Sequence, residues 1–336
     1  MGARRGCRAK IETPRSRFDP PSTAGDRASK MSRVSIVGML LAAEVLIVGM
    51  AIYAVGGGAP TFAAGMHRRD FSAALIASIP AGAAPHVVID DADSRVQVET
   101  SSDQLVHVRD LTQMHGWIFS SGKYPKLVVS RTSDGVRIER PGTPVSGIAV
   151  FGFSTQAIEV DVPQSARLEI ARCSGADVRG LTGGVNVHSV DGHVTLTDLQ
   201  GTVDARSDDG YLEATNVRGD RLDLSSMDGH IGLQDVTVTS LTATTRDGRI
   251  VADDLNVTQD GTLQTDDGSV RVRLASNSNL TIDASTRDGR ISVDGNSSER
   301  NDDSAQRTIR LGAGNGQMKV ATADGSIRIL TNGELQ

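Results

Sequence analysis

Ser189-Val190-Asp191-Gly192-His193-Val194-Thr195-Leu196 is the stretch that decides the fold. It joins a turn dipeptide to a run in which apolar and polar residues alternate. That alternation has a period of two, the period at which β-strand side chains return to one face. Beyond it, Asp198-Leu199-Gln200-Gly201 reads as a second turn, and Val203 and Ala205 resume the alternation. Ser207 and Asp208 then lead into the next Asp-Gly pair.

The same unit recurs down the chain. Asp-Gly pairs fall at Asp191-Gly192, Asp209-Gly210, Asp228-Gly229, Asp247-Gly248, Asp267-Gly268 and Asp288-Gly289, at intervals of 18, 19, 19, 20 and 21 residues. Ser174-Gly175 fits one period upstream, and Asp324-Gly325 follows after 36 residues, close to two periods. The apolar pattern returns with Leu212, Ala214, Val217, Leu222 and Leu224, and again with Ile231, Leu233, Val236, Leu241 and Ala243. Val270, Val272, Leu274, Leu280 and Ile282 continue it. One repeat cannot bury its own apolar face, whereas stacked repeats bury one another's.

The expected fold class is therefore all-β, a β-solenoid of stacked coils of about nineteen residues over 86–330. Polar residues 296–306 read as a loop inserted into one coil. A meander of hairpins, the other product of Asp-Gly turns, is the alternative. At each turn the six Asp-Gly pairs have a structural role to fill: Gly accepts φ > 0 and Asp bonds its own backbone.

Composition fits a thin, layered core. Aromatic residues are 3% of 336, with a single Trp, while Gly numbers 36. A wide globular core draws on aromatic volume, and a stack of narrow coils does not. Two cysteines, Cys7 and Cys173, lie on opposite sides of an apolar segment and form no disulfide framework.

That segment runs from Val34 to Val55 with one charge, Glu44, and is long enough to span a bilayer as a helix over 34–56. Nine Lys/Arg precede it. The positive-inside rule then places residues 1–33 in the cytoplasm as a basic, disordered tail and the remainder outside the cytoplasmic membrane. Met31 is a second candidate start, and Thr61-Phe62-Ala63 offers a cleavage site, so a removed signal peptide is the alternative to an anchor. Residues 57–85, rich in Ala, Gly and Pro, read as a stalk, with Phe71 to Ile79 as a short helical turn. The first 56 residues hold 9 of the 35 basic and 4 of the 41 acidic residues. The exported part, with 26 basic against 37 acidic, disfavours nucleic acid as a partner.

The motif Ser/Thr-x-Asp-Gly-x-Val/Ile-x-Leu, then Asp198, Gly201, Val203 and Ala205, resembles bacterial β-strand-repeat domains of unknown function labelled as adhesins. The resemblance covers roughly residues 86–330 and is strongest over 172–293. It implies a repeat architecture and a surface-binding role, and it carries over no catalytic residue.

Candidate chemistry is sparse. A column of Asp191, Asp209, Asp228, Asp247, Asp267 and Asp288 would repel itself unless turn capping or a cation relieved it; turn capping is the expectation. His193 and His230 share a place in the repeat with Tyr211 between them. Two rungs apart, about 9.6 Å, they are too distant for one zinc and read as solvated turn residues. Asp198, Asp204, Asp223, Asp235, Asp253 and Asp254 could serve a polysaccharide-cleaving solenoid, but paired catalysis needs a cleft and one raised pKa. Arg246 and Arg287 precede matching Asp-Gly-Arg-Ile segments, as repeat descent explains. The expectation is a non-enzymatic, single-pass envelope protein with no cofactor or metal, its partners being the lipid bilayer through 34–56 and either an envelope polymer or its own copies. A carbohydrate-active enzyme and an envelope sensor are the alternatives.

Overall fold

The computed structural model describes residues 74–121, 126–141, 146–297 and 305–331. The expected tail 1–33 and span 34–56, and 57–73 of the expected stalk, lie outside the described residues. No helix among the described residues is long and apolar enough to cross a membrane.

The repeats form coils with two strands each. On one face Val194, Leu212, Ile231, Ile250 and Val270 are successive register partners, all in parallel. On the other, Ala205, Leu224, Ala243 and Leu263 stack in the same way. A hairpin meander would pair its neighbours antiparallel, so this register excludes it. The Asp-Gly pair makes one corner of each coil. At the second corner the backbone turns without leaving the ladder, so strands such as Leu212–Ser226 and Ile231–Asp247 pass from one face to the other.

Alternation fills the interior. Leu212, Ala214, Leu222 and Leu224 point in and are 0–1% exposed, while their neighbours point out. Leu199, Val217, Val236 and Leu255, all 0% exposed, form a column that seals the second corner. Just before each stands a residue with positive φ: Asp198 (55°), Asn216 (52°), Asp235 (53°) and Asp254 (55°). Asp and Asn are the side chains that tolerate this left-handed conformation best.

That placement corrects one expectation. None of the six glycines of the Asp-Gly pairs is among the described residues with positive φ. Glycine is required there by crowding. A Cβ on Gly248 would stand 1.9 Å from the Gly229 carbonyl oxygen, and one on Gly268 would stand 1.8 Å from that of Gly248. Corners press together at the coil spacing and leave no room for a methyl group.

Coil order differs from chain order at both ends. Gly316–Asp324 lies between Ile250–Asp267 and Leu280–Asp288, and Ile327–Leu330 lies between Val270–Leu274 and Ile291–Val293. The expected simple succession across 288–324 is thus replaced by a swap: the later coil sits inside the earlier one. At the other end His86–Asp90 lies between Gly135–Glu139 and Arg167–Cys173, and Arg95–Ser101 between Ala157–Pro163 and Gly175–Arg179. The coil nearest each terminus of the domain is therefore tucked one place inward, where neighbours on both sides hold it against fraying.

Antiparallel strands close the outermost coils. Ala305–Arg310 covers Leu280–Asp288, and Asn296–Ser297 covers Ile291–Val293. The expected loop at 296–306 is thus strand at its described ends, because the chain turns back there to cap the stack; 298–304 lie outside the described residues. At the opposite end Leu105–Asp110 covers Ala157–Pro163, and Ala74–Pro80 pairs outside Leu105–Asp110. Ala74–Pro80 replaces the helical turn expected at Phe71 to Ile79 and the last part of the stalk, since its backbone completes this cap. Val128–Arg131 covers Gly135–Glu139. Gln113–Ser121 and Ser146–Thr155 pair separately as a two-stranded ribbon.

Candidate functional site at the Asp-Gly corner

The Asp-Gly corner concentrates the polar chemistry of the domain. Among the described residues eleven polar or charged side chains are buried, and seven of them form one column there: Ser189, Ser207, Ser226, Thr245, Thr265, Thr322 and Thr286. Each stands three residues before the Gly of its pair. The hydroxyls of Thr245, Thr265 and Thr322 each donate 2.9 Å to the glycine carbonyl of the adjoining coil, namely Gly229, Gly248 and Gly268. Ser226 reaches Gly210 at 3.1 Å, and Thr286 reaches Gly325 at 3.0 Å. A carbonyl turned sideways by the corner thereby keeps a donor without water. Ser189 heads the column over Cys173, which is buried, with a thiol that burial pushes up.

The six aspartates of the pairs line the outside of this corner. Asp247, Asp267, Asp324 and Asp288 follow one another as register partners. Their mutual repulsion is expressed at Asp267. Loss of solvent, then the Asp324 carboxylate, hold its carboxyl above the usual carboxylate range, with Asp247 and Asp266 adding to the effect. Toward the middle of the stack, Arg246 relieves it. Its guanidinium donates 2.7 Å to Asp228 and 3.2 Å to Asp247, and those bonds raise the already high pKa of the arginine. No group of three or more His, Cys, Asp or Glu among the described residues could hold a metal ion.

Immediately after the glycines runs a second outer row. Backbone bonds place its members in the order His193, Tyr211, His230, Arg249, Ser269, Ser326 and Arg290. The rings of His193 and Tyr211 meet edge to face at 4.6 Å between centroids, and those of Tyr211 and His230 are tilted at 5.1 Å. The two histidines are thus one rung either side of Tyr211, as the spacing predicts, but they form a stacked row. The Arg249 backbone N–H donates 3.2 Å to His230 Nδ1, and burial followed by the Arg249 charge lowers the imidazole pKa.

The scattered acids do not converge. Asp198, Asp235 and Asp254 hold the left-handed positions at the far corner. Asp204 and Asp223 lie on one outer face beside Arg206 and Arg221, and Asp253 on the other beside Arg273.

In the first coils an ion cluster stands where the Asp-Gly ladder would be. Arg140 donates 2.7 Å to Asp91 and 3.2 Å to Asp110, and Ser94 donates 2.8 Å to Asp91. Burial draws the Arg140 pKa down, and its bonds to Asp110 and Asp91 more than restore it. Burial likewise raises the Asp110 carboxyl, but bonds from Thr112 and Arg140 hold it below the usual range. Sequence reasoning missed this cluster, whose members are 30 and 49 residues apart. It also gave no role to the Ser/Thr column, although the repeat carried the signal in Ser/Thr-x-Asp-Gly.

Residues 85–330 match the Toastrack DUF4097 family. The chain belongs to that family. Among solved structures it is similar to a "putative cell adhesion protein" from Clostridium sporogenes, at 9% identity and a TM-score of 0.28, covering 78% of this chain and 98% of that one. It is also similar to a "putative adhesin" from Bacteroides fragilis, at 11% identity and a TM-score of 0.41, covering 77% and 98%. No curated protein matches the chain. What is established is thus an all-β Toastrack domain over residues 85–330.

Proposed function

We propose that this protein is a membrane-anchored, non-catalytic adhesin whose Toastrack domain lies outside the cytoplasmic membrane and binds an envelope polymer along its flank. The observation that carries this reading is the closure of both ends of the stack by antiparallel strands. Parallel coils left open would template further coils from other copies, and capping strands of 2 to 7 residues discourage that. The repetitive surfaces left for a partner are the two outer faces and the corners. The ion-paired or corner-bound aspartates add support, since they supply no acid–base pair over a cleft. The anchor at 34–56 is supported by its length and flanking charge.

The test is a binding assay with the full chain in detergent micelles against isolated envelope fractions, with reporter fusions at each terminus in cells. Expected are binding to a polymer fraction, a monomeric domain, and reporters on opposite sides of the membrane. Binding to no fraction, or end-to-end fibres, would overturn the reading.

A further inference from the structure

Tyr211 is the sole Phe, Tyr or Trp whose side chain lies among those described, and it is 46% exposed. The core formed by the described side chains uses no aromatic ring, so volume does not explain this one. It stands in a row between two imidazoles, edge to face with His193 at 4.6 Å and tilted by 33° to His230 at 5.1 Å, close to the rung spacing of the stack. Such a strip offers ring edges and faces in succession along the stack, apolar surface against which a sugar ring can pack.

Farther along the same flank the chemistry changes to arginine. Arg249, Arg271, Arg290 and Arg328 are all exposed, and none makes an ion pair with a described carboxylate. Arg95, Arg131, Arg137, Arg167 and Arg287 are likewise exposed without an ion pair to a described carboxylate, so what distinguishes this flank is that its arginines adjoin one another in the ladder. Arg271 and Arg328 are direct register partners. Like charges opposite one another across a ladder are destabilising, and a ligand anion would reverse that cost. Beside them, Arg290, Arg328, Ser292 and Ser326 line an open groove of about 460 Å³. In an acidic chain, this is a cluster of adjoining exposed guanidinium forks suited to carboxylates, with Asp253 close enough to Arg271 to feel its charge.

We propose that the row from His193 to Arg290, with Arg271 and Arg328 two residues further along on the same outer face, is a binding track for a carboxylated polysaccharide. Sugar rings lie on the strip of His193, Tyr211 and His230, and carboxylates engage Arg249, Arg271, Arg328 and Arg290. The aspartates of the neighbouring corner column keep a polyanion from crossing that corner, so it lies along the flank. A neutral glycan would use the rings alone, and a phosphate polymer the arginines alone. This inference rests on the reading of the flank as a polymer-binding surface and names the polymer's class.

The test titrates the full chain in micelles with polygalacturonate, its methyl-esterified neutral form and polyphosphate. Expected is binding of polygalacturonate that weakens with salt, and loss of about tenfold or more on esterification. Tyr211→Ala and the double variant R271E/R328E each weaken it by about tenfold or more, with unchanged thermal unfolding because all three side chains are exposed. Equal binding of the esterified polymer, variants that bind like the parent, or polyphosphate binding untouched by Tyr211→Ala as the sole activity would overturn the track. Binding of envelope fractions by the parent and both variants alike would overturn the track and leave the broader reading standing. Binding to nothing would overturn both.

Discussion

The same corner is closed in two ways. Between coils at residues 189–325 a hydroxyl reaches across to a glycine carbonyl, and a missing Cβ lets corners touch. In the first coils the buried guanidinium of Arg140 binds two carboxylates, Asp91 in the corner after His86–Asp90 and Asp110 at the end of Leu105–Asp110. The first device is neutral and local. Each coil brings its own Ser or Thr and Gly, so it can be copied indefinitely. The second needs three charges from distant parts of the chain and occurs where the stack must stop. A repeat can lengthen by duplication only through the first device, and the cap strand Leu105–Asp110 supplies one member of the second.

Breaking the ion cluster should have the largest effect. Arg140→Ala leaves the Asp91 side chain, 3% exposed, without its cationic partner and with only the Ser94 hydroxyl. Loss of about 3–5 kcal/mol is expected. Because a solenoid is held by neighbour contacts, hydrogen exchange should show the damage in 86–101 and 135–163 while 212–267 stays protected. Uniform loss across the stack would show that the end cluster is coupled to every coil.

Gly248→Ala strikes the repeated device. Its Cβ would fall 1.9 Å from one backbone oxygen and 3.0 Å from the Thr245 hydroxyl, and neither coil can move without opening a ladder. Destabilisation of about 2–3 kcal/mol is expected, measured by urea unfolding and centred by exchange on 229–268. A neutral result would mean that the corner can spread. Thr265→Val is milder. It keeps shape and removes the donor 2.9 Å from Gly248, for an expected loss of about 1–2 kcal/mol. Thr265→Ser should restore most of it.

The repeated region was legible because its causes are local. Spacing of Asp-Gly pairs and two-residue alternation yield coil length, parallel stacking and the inward residues. The role of glycine was not legible, since a turn glycine serves equally for positive φ or for close approach, and only the neighbouring carbonyl distinguishes them. The end swaps were not legible either. Gly316–Asp324 matches its neighbours on both sides equally well in pattern, and which coil goes inside is settled by the cap strand Ala305–Arg310. Of the candidate site, the Asp column and the histidine spacing could be read directly. The stacking of Tyr211 between the two imidazoles needed the actual backbone.

The smallest effect separates the two corners by pH. Asp110 is held below its unfolded value, near pH 3.9. Between those values the unfolded state binds the proton, so the Asp110 contribution is full above about pH 4 and is lost as pH falls through the folded value. Asp267 is shifted the other way. Its folded form keeps the proton to higher pH than the unfolded form, so ionising it costs the folded state, and stability falls as pH rises from about 3.9 through the raised value. Asp267→Asn should therefore raise the melting temperature slightly at pH 7 and leave it unchanged at pH 3. Asp110→Asn should lower it at pH 7, with the deficit shrinking in acid. Opposite signs in the two difference curves are the expected result. If Asp267→Asn is destabilising at pH 7, the column of aspartates is held by something that favours its charge, and repulsion is not the force that governs it.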